Sequence, residues 1–209
     1  KVRAKKTMTS DLSSIDKQVK ACTKCRLCKK RVRAVPPEGD PQADVMFIGI
    51  GPGRTEDRQG RPFVGRSGKW FDKALRSVGL QREGVWVTNL VKCRPTDGDQ
   101  NRDPKRDEME ACERFLKAEM QAVQPKVVVL LGNLPLRRML GLNGIQKKRG
   151  QCFFREQEPD RVFFPMLHPA VLVRDRDGQI DGYKVDLREL KRLLIRLGIA
   201  DHGKKAGDG

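Results

Sequence analysis

Six cysteines and one internal histidine are the residues with most chemical potential in this 209-residue sequence. Cys22-Thr-Lys-Cys25 forms a CxxC pair, and Cys93 and Cys112 follow far downstream with 18 residues between them. Four thiolates can hold a 4Fe–4S cluster or a zinc ion. A zinc ribbon would repeat the CxxC, which the second pair does not, but spacing alone leaves both metals open. Cys28 is a competing ligand three residues after Cys25, and Cys152 reads as a core thiol. Nothing resembling a secretory signal precedes the cysteines, so a cytosolic setting is expected, where clustered cysteines favour metal over disulfides.

Other residues punctuate what read as strand ends. Gly49-Ile50-Gly51-Pro52-Gly53 matches neither a Rossmann nor a Walker pattern. Gly60-Arg61-Pro62-Phe63-Val64-Gly65-Arg66-Ser67-Gly68 is a dense run of glycines around one aromatic. Such a loop can bring backbone close to a flat ligand and stack a ring on it. His168 precedes Pro169 and two cations, Arg174 and Arg176, while Asn89 closes an apolar run. Either is equally compatible with a purely structural hydrogen-bonding role.

These residues need elements to hold them. Short apolar runs at Asp44–Ile50, Val85–Leu90, Lys126–Leu131 and Val162–Leu167 read as strands. Helices are predicted at Ser67–Ser77, with Trp70, Phe71, Ala74 and Leu75 on one face, and at Arg106–Val123, Leu134–Leu140 and Asp186–Leu197. Strands separated by helices imply a three-layer α/β/α fold with a central, mainly parallel sheet. In such folds the site lies beyond the C-terminal strand ends. Here those ends carry Gly51-Pro52-Gly53, Asn89, Gly132-Asn133 and His168. Residues 1–14 read as a flexible basic arm, 15–200 as one domain and 201–209 as a disordered tail.

The formal net charge is +17, and 34% of residues are charged. Residues 1–33 hold twelve Lys or Arg against two acidic groups, and Gln146–Arg149 adds three more cations. This imbalance points to a polyanion whose phosphates the cations contact. No segment approaches the roughly 20 apolar residues of a membrane span.

Taken together, the motifs resemble the iron–sulfur, family 4 branch of the uracil-DNA glycosylases. The resemblance covers about 180 residues. It rests on the CxxC, Gly49–Asp57, Gly60–Gly68, Val87–Pro95 (VTNLVKCRP), Asn101–Pro104 (NRDP) and His168–Arg174 (HPAVLVR). It implies a 4Fe–4S cluster on Cys22, Cys25, Cys93 and Cys112, with Cys28 and Cys152 as bystanders. It also implies a monofunctional, monomeric enzyme that flips a pyrimidine out of DNA and hydrolyses its N-glycosidic bond in a prokaryotic or viral cytoplasm. Phe63 would stack on the base, Asn89 would read its Watson–Crick edge, and His168 would donate to O2. Backbone amides near Gly51 and Gly53 would support the pyrimidine. Arg61, Lys147, Lys148, Arg149 and Arg174 are the expected DNA contacts.

The chain also departs from that pattern. Ile50 stands where the family usually has a glutamate implicated in activating water, so either Glu56 or Asp57 compensates or the chemistry leans on His168 and the DNA phosphates alone. Val171 replaces a tyrosine, and Thr96–Asp99 reads as an insertion. Gly53 stands where some relatives of this family carry an aromatic wall, which leaves room for a base substituent. Uracil is therefore the first expectation for the target. A modified pyrimidine, as in antiviral defence against phage DNA, is the second, and a DNA-binding protein without catalysis the third.

Overall fold

The protein is represented by a computed structural model that describes residues 9–174 and 179–199. The expected tail at 201–209 and the first eight residues of the expected arm lie outside this range. A helix, α1 (Thr9–Ala21), already occupies the rest of that arm. Ile15 and Val19 fall one turn apart on it and are buried, which gives the segment a packed face.

Four parallel strands form the centre of a six-stranded sheet: β2 (Val45–Gly49), β3 (Trp86–Asn89), β6 (Val127–Leu131) and β8 (Glu158–Met166). Their order is β3-β2-β6-β8, with β1 (Glu38–Gly39) and β7 (Phe153–Arg155) added antiparallel at the two edges. A separate hairpin, β4 (Thr96–Asp97) with β5 (Gln100–Asn101), is the apparent insertion. Along the chain the helices are α2 (Arg54–Gln59), α3 (Arg66–Ser77), α4 (Arg106–Val123), α5 (Asn133–Leu140), α6 (Ile145–Lys148), α7 (Val171–Arg174) and α8 (Gln179–Arg196).

The strands are buried on both faces, and their side chains alternate between two cores as the pleat requires. Val45, Phe47, Val127, Val129 and Leu131 pack with Phe71 and Leu75 of α3 and with Tyr183, Leu190 and Leu194 of α8. Met46, Ile48, Val128 and Leu130 face the other way, toward Ile15 and Val19 of α1 and Phe115, Leu116 and Met120 of α4. This is the expected three-layer arrangement. The chain leaves β2 through α3 on one face to reach β3, then crosses by α4 on the other face to β6. The topological switch therefore lies at the C-terminal end of β2, where open α/β sheets form a crevice.

Several boundaries differ from the sequence reading for identifiable reasons. Strand β8 starts at Glu158 because β7 pairs with its first half, and α8 starts at Gln179 because Tyr183 is buried beneath it. Trp70 does not share the buried face of α3. It is 42% exposed, with the Lys73 ammonium 4.7 Å above its ring. A cation on an aromatic face is a stable surface arrangement that hydrophobicity alone does not anticipate.

Candidate active site and cysteine centre

The parallel register sets Gly49 beside Asn89 at the ends of β2 and β3. A side chain at Gly49 has no space: an added Cβ would lie 2.5 Å from Asn89 Oδ1 and 2.6 Å from Phe63 Cζ. The glycine thus leaves its volume to an amide and a ring. Phe63 is buried and adopts φ +51, a left-handed conformation that few bulky residues take. Arg82 holds it there, donating to the carbonyls of Phe63 and Pro62 while bridging Glu38 and Asp72. Gly68 is also required, since a Cβ there would sit 1.9 Å from the Phe63 carbonyl oxygen.

The Phe63 ring packs on Phe71 with centroids 5.0 Å apart, and His168 lies 5.7 Å away at a 30° tilt. His168 Nδ1 accepts a hydrogen bond from the Ala170 N–H at 3.1 Å. An accepting Nδ1 fixes the neutral tautomer that carries its proton on Nε2, leaving that edge as the donor. Asn89 is 4% exposed and opens onto the same cleft. Its backbone carbonyl accepts from Lys92 Nζ at 2.9 Å. Lys92 is itself buried and paired with the buried Glu119 at 2.7 Å.

Two adjoining clefts share Gly51, Asn101, His168 and Ala170. The larger, about 530 Å³, is lined by Ile50, so the departure at position 50 faces the site. The smaller, about 390 Å³, is lined by Gly53, Glu56, Phe63, Arg66, Ser67 and Asn89 among others. The structure therefore brings Ile50, Gly51, Gly53, Glu56, Phe63, Asn89 and His168 to one place. Asn101, Arg66 and Ser67 join them without having been singled out individually. The signals were present in the NRDP and GRSG stretches, but neither reading told which residue faced inward. Arg94 donates to Asn101 Oδ1 at 2.7 Å, and Gly53 faces the Asn101 amide nitrogen.

The two carboxylates separate. Glu56 stands at the cleft wall, where it accepts from the Gly53 N–H at 3.1 Å, the Val64 N–H at 3.0 Å and the Gly65 N–H at 2.6 Å. It knots the Gly-Pro-Gly turn to the loop that presents Phe63. Asp57 lies outside the cleft lining, its carboxylate accepting from the Val32 and Arg33 N–H groups. Gly53 also reads differently in place. Its N–H is already given to Glu56, and a Cβ would lie 2.7 Å from Glu56 Oε2, so the missing side chain makes room for a carboxylate.

The expected DNA contacts divide in the same way. Arg149 is turned inward by the buried Asp186, to which it donates at 2.6 Å. Arg61 is exposed but held in a two-pronged pair with Glu38, both contacts at 2.8 Å. Lys147 is exposed, and Lys148 is half-buried with its Nζ 6.0 Å from the centre of the Phe153 ring. Arg174 closes α7, and its side chain is outside the described residues.

A second centre lies at the other end of the Lys92 segment. Cys22, Cys25, Cys28, Cys93 and Cys112 line one small cavity with Val19 and Phe115. Cys152 is exposed and elsewhere, not in the core. Burial pushes the Cys93 thiol up to about 11 and raises Cys25 and Cys112 as well. Donors already face these sulfurs: Arg31 to Cys93 at 3.1 Å, Arg114 to Cys22 at 3.4 Å and the Lys92 N–H to Cys112 at 3.4 Å. Among the described residues no three ligating groups converge as a single metal ion requires. Thiolates gathered around one cavity are a donor set that either a metal ion or an iron–sulfur cluster can use.

Comparison with known proteins agrees with this geometry. Residues 36–191 match the profile of the uracil DNA glycosylase superfamily. The chain belongs to that superfamily. It is 40% identical to the type-4 uracil-DNA glycosylase of Sulfurisphaera tokodaii, over 88% of this chain and 85% of the relative. It is 37% identical to the type-4 enzyme of Thermotoga maritima, over 87% and 93%, and 34% identical to that of Archaeoglobus fulgidus, over 87% and 92%.

The crowding around Gly49 gives this superfamily member a direct test. Gly49→Ala should lose about 1–3 kcal/mol of stability, the usual cost of overpacking a filled interior. Gly84→Ala meets nothing within 4 Å and should leave stability within about 0.5 kcal/mol of wild type. Denaturant unfolding of both variants checks the contrast, and equal stabilities would mean that Asn89 and Phe63 do not depend on the space at Gly49.

Proposed function

We propose that this chain is a DNA glycosylase that extrudes a pyrimidine, uracil first among them, and hydrolyses its N-glycosidic bond. The observation that carries this reading is the meeting of Phe63, from the loop between α2 and α3, with Asn89 and His168, at the ends of β3 and β8, around one cleft. Extrusion unstacks the base at a cost of a few kcal/mol, and stacking on Phe63 returns about 1–3 kcal/mol. The Asn89 amide pairs with the Watson–Crick edge. As the C1′–N1 bond breaks, its electron pair stays with the base, and charge grows on O2. The Nε2–H of His168 donates to that oxygen, in a site whose donors are placed before the reaction begins. Water then gives hydroxide to C1′ and a proton to the departing base.

With Ile50 unable to act on a proton, Glu56 is the carboxylate that remains at the cleft wall to orient this water. Asp57 lies outside the cleft lining and is not assigned this role. Gly51 and Ala170 close the cleft around the pyrimidine. Arg66 and Lys147 are the exposed cations we assign to DNA phosphates, in place of Arg61 and Arg149.

Cys22, Cys25, Cys93 and Cys112 would hold a 4Fe–4S cluster, which supplies a rigid cross-link when bound. Cys28 shares the cavity and is a bystander in this assignment. The cross-link joins the end of α1 to the segment between Asn89 and α4. Protein purified without oxygen should contain iron and no zinc, and Cys112→Ser should lose the iron while Cys152→Ser keeps it. Zinc in place of iron, measured by elemental analysis, would replace the cluster with a mononuclear site.

Single-turnover base release tests the activity itself. Uracil-containing DNA should yield alkali-labile sites, and His168→Ala should slow their formation by about 10²–10³-fold, as removal of one anion-stabilising donor does. Ile50→Glu should raise the rate on uracil DNA if the pocket is an ordinary uracil site. Because Ile50 lines the cleft, the second reading is a pocket shaped for an apolar substituent. In that case Ile50→Glu buries an unpaired charge, and release is fast only from the modified base. No release from any pyrimidine would leave a DNA-binding protein without catalysis.

A further inference from the structure

Strand β8 ends at Met166, and the next N–H, on the buried Leu167, has no strand partner. Buried backbone donors are paired in nearly all folded proteins. Here the partner is a side chain from the last helix: Asp186 Oδ2 accepts from the Leu167 N–H at 3.0 Å. Asp186 is 0% exposed, and a carboxylate in that position is costly without a cation. Arg149 supplies one, donating from Nη1 to Asp186 Oδ1 at 2.6 Å and to the Gly182 carbonyl at 2.5 Å.

The sequence makes space for this pair. A Cβ at Gly182 would come within 2.9 Å of the Arg149 guanidinium. Gly150 donates its N–H to the Pro165 carbonyl, and Gly132 donates to that of Met166. Residues 165–167 are therefore gripped from three directions immediately before His168. A neutral acceptor would have satisfied the Leu167 N–H at lower desolvation cost. The charged pair additionally ties the end of β8 to α8 and to the turn after α6.

Resting on the glycosylase reading above, we propose that Asp186 is a positioning residue for His168. Through the Leu167 N–H it fixes where the following residue leaves the strand, and so where the Nε2–H of His168 points. It touches neither base nor DNA. Its effect falls on the bond-breaking step and not on binding.

A double-mutant cycle separates positioning from simple support of the fold. Asp186→Ala should slow single-turnover release of uracil by about 10²-fold, the penalty for misplacing a reacting group by about 1 Å. Affinity for uracil-free duplex should stay unchanged. Asp186→Asn keeps an acceptor for Leu167 and should lose about tenfold or less, a partial rescue. In a His168→Ala background both substitutions should alter the residual rate by less than about threefold, because the group they position is gone. If Asp186→Ala fails to fold, Asp186→Asn carries the same cycle. Equal losses with and without His168, or a loss of DNA affinity with the rate intact, would overturn the proposal. A His168→Ala enzyme as fast as wild type would overturn the assigned site along with it. A slow His168→Ala enzyme with additive Asp186 losses would overturn only this inference.

Discussion

The absence of one carbon atom at Gly49 is the constraint on which the site depends. Parallel pairing sets Gly49 opposite Asn89, and the β2–α2–α3 connection folds Phe63 back over both. Three groups converge on a volume that holds two side chains. Glycine resolves the conflict, and the resolution places an amide edge next to an aromatic face. His168 completes the set because β8 lies two strands away and the cleft spans the gap above β6. The geometry of the cleft thus follows from sheet register and from where the register tolerates a side chain.

Buried charges hold this arrangement in place. Glu56 gathers three backbone N–H groups and joins the turn after β2 to the loop bearing Phe63. Lys92, paired with Glu119, caps the carbonyl of Asn89, while its own N–H reaches the sulfur of Cys112. The cysteine centre and Asn89 are therefore joined by one short segment of chain. A cross-link at the cysteines stiffens the same segment that carries Asn89. The proposed cluster would in this way support the site without taking part in breaking the glycosidic bond.

Much of this was legible in the sequence, and the exceptions share a cause. Helix α4 was read with its observed bounds, and the four parallel strands were found, because apolar period and turn residues are local signals. That Asn89 and His168 stand at strand ends, and Phe63 in a glycine-rich loop, was legible from local pattern. What could not be read were partnerships between distant residues. Arg149 and Arg61 count as cations in any tally of charge, yet Asp186 and Glu38 hold them. Gly53 read as room for a substituent, but its space and its N–H belong to Glu56. Asp57 and Glu56 are neighbours in sequence, and only the fold shows that one serves the N-terminal segment and the other the cleft. Residues 9–14 read as arm because they offer one apolar residue, Leu12, among short polar ones, and only the fold shows that Leu12 packs against the core.

The most direct measurement is a crystal structure of the protein bound to a duplex carrying a 2′-fluorinated deoxyuridine, whose glycosidic bond resists cleavage. The uracil should be extruded and stacked on Phe63, with the Asn89 amide on its Watson–Crick edge and Nε2 of His168 at O2. A uracil left in the helical stack, or bound away from the strand-end cleft, would contradict the account.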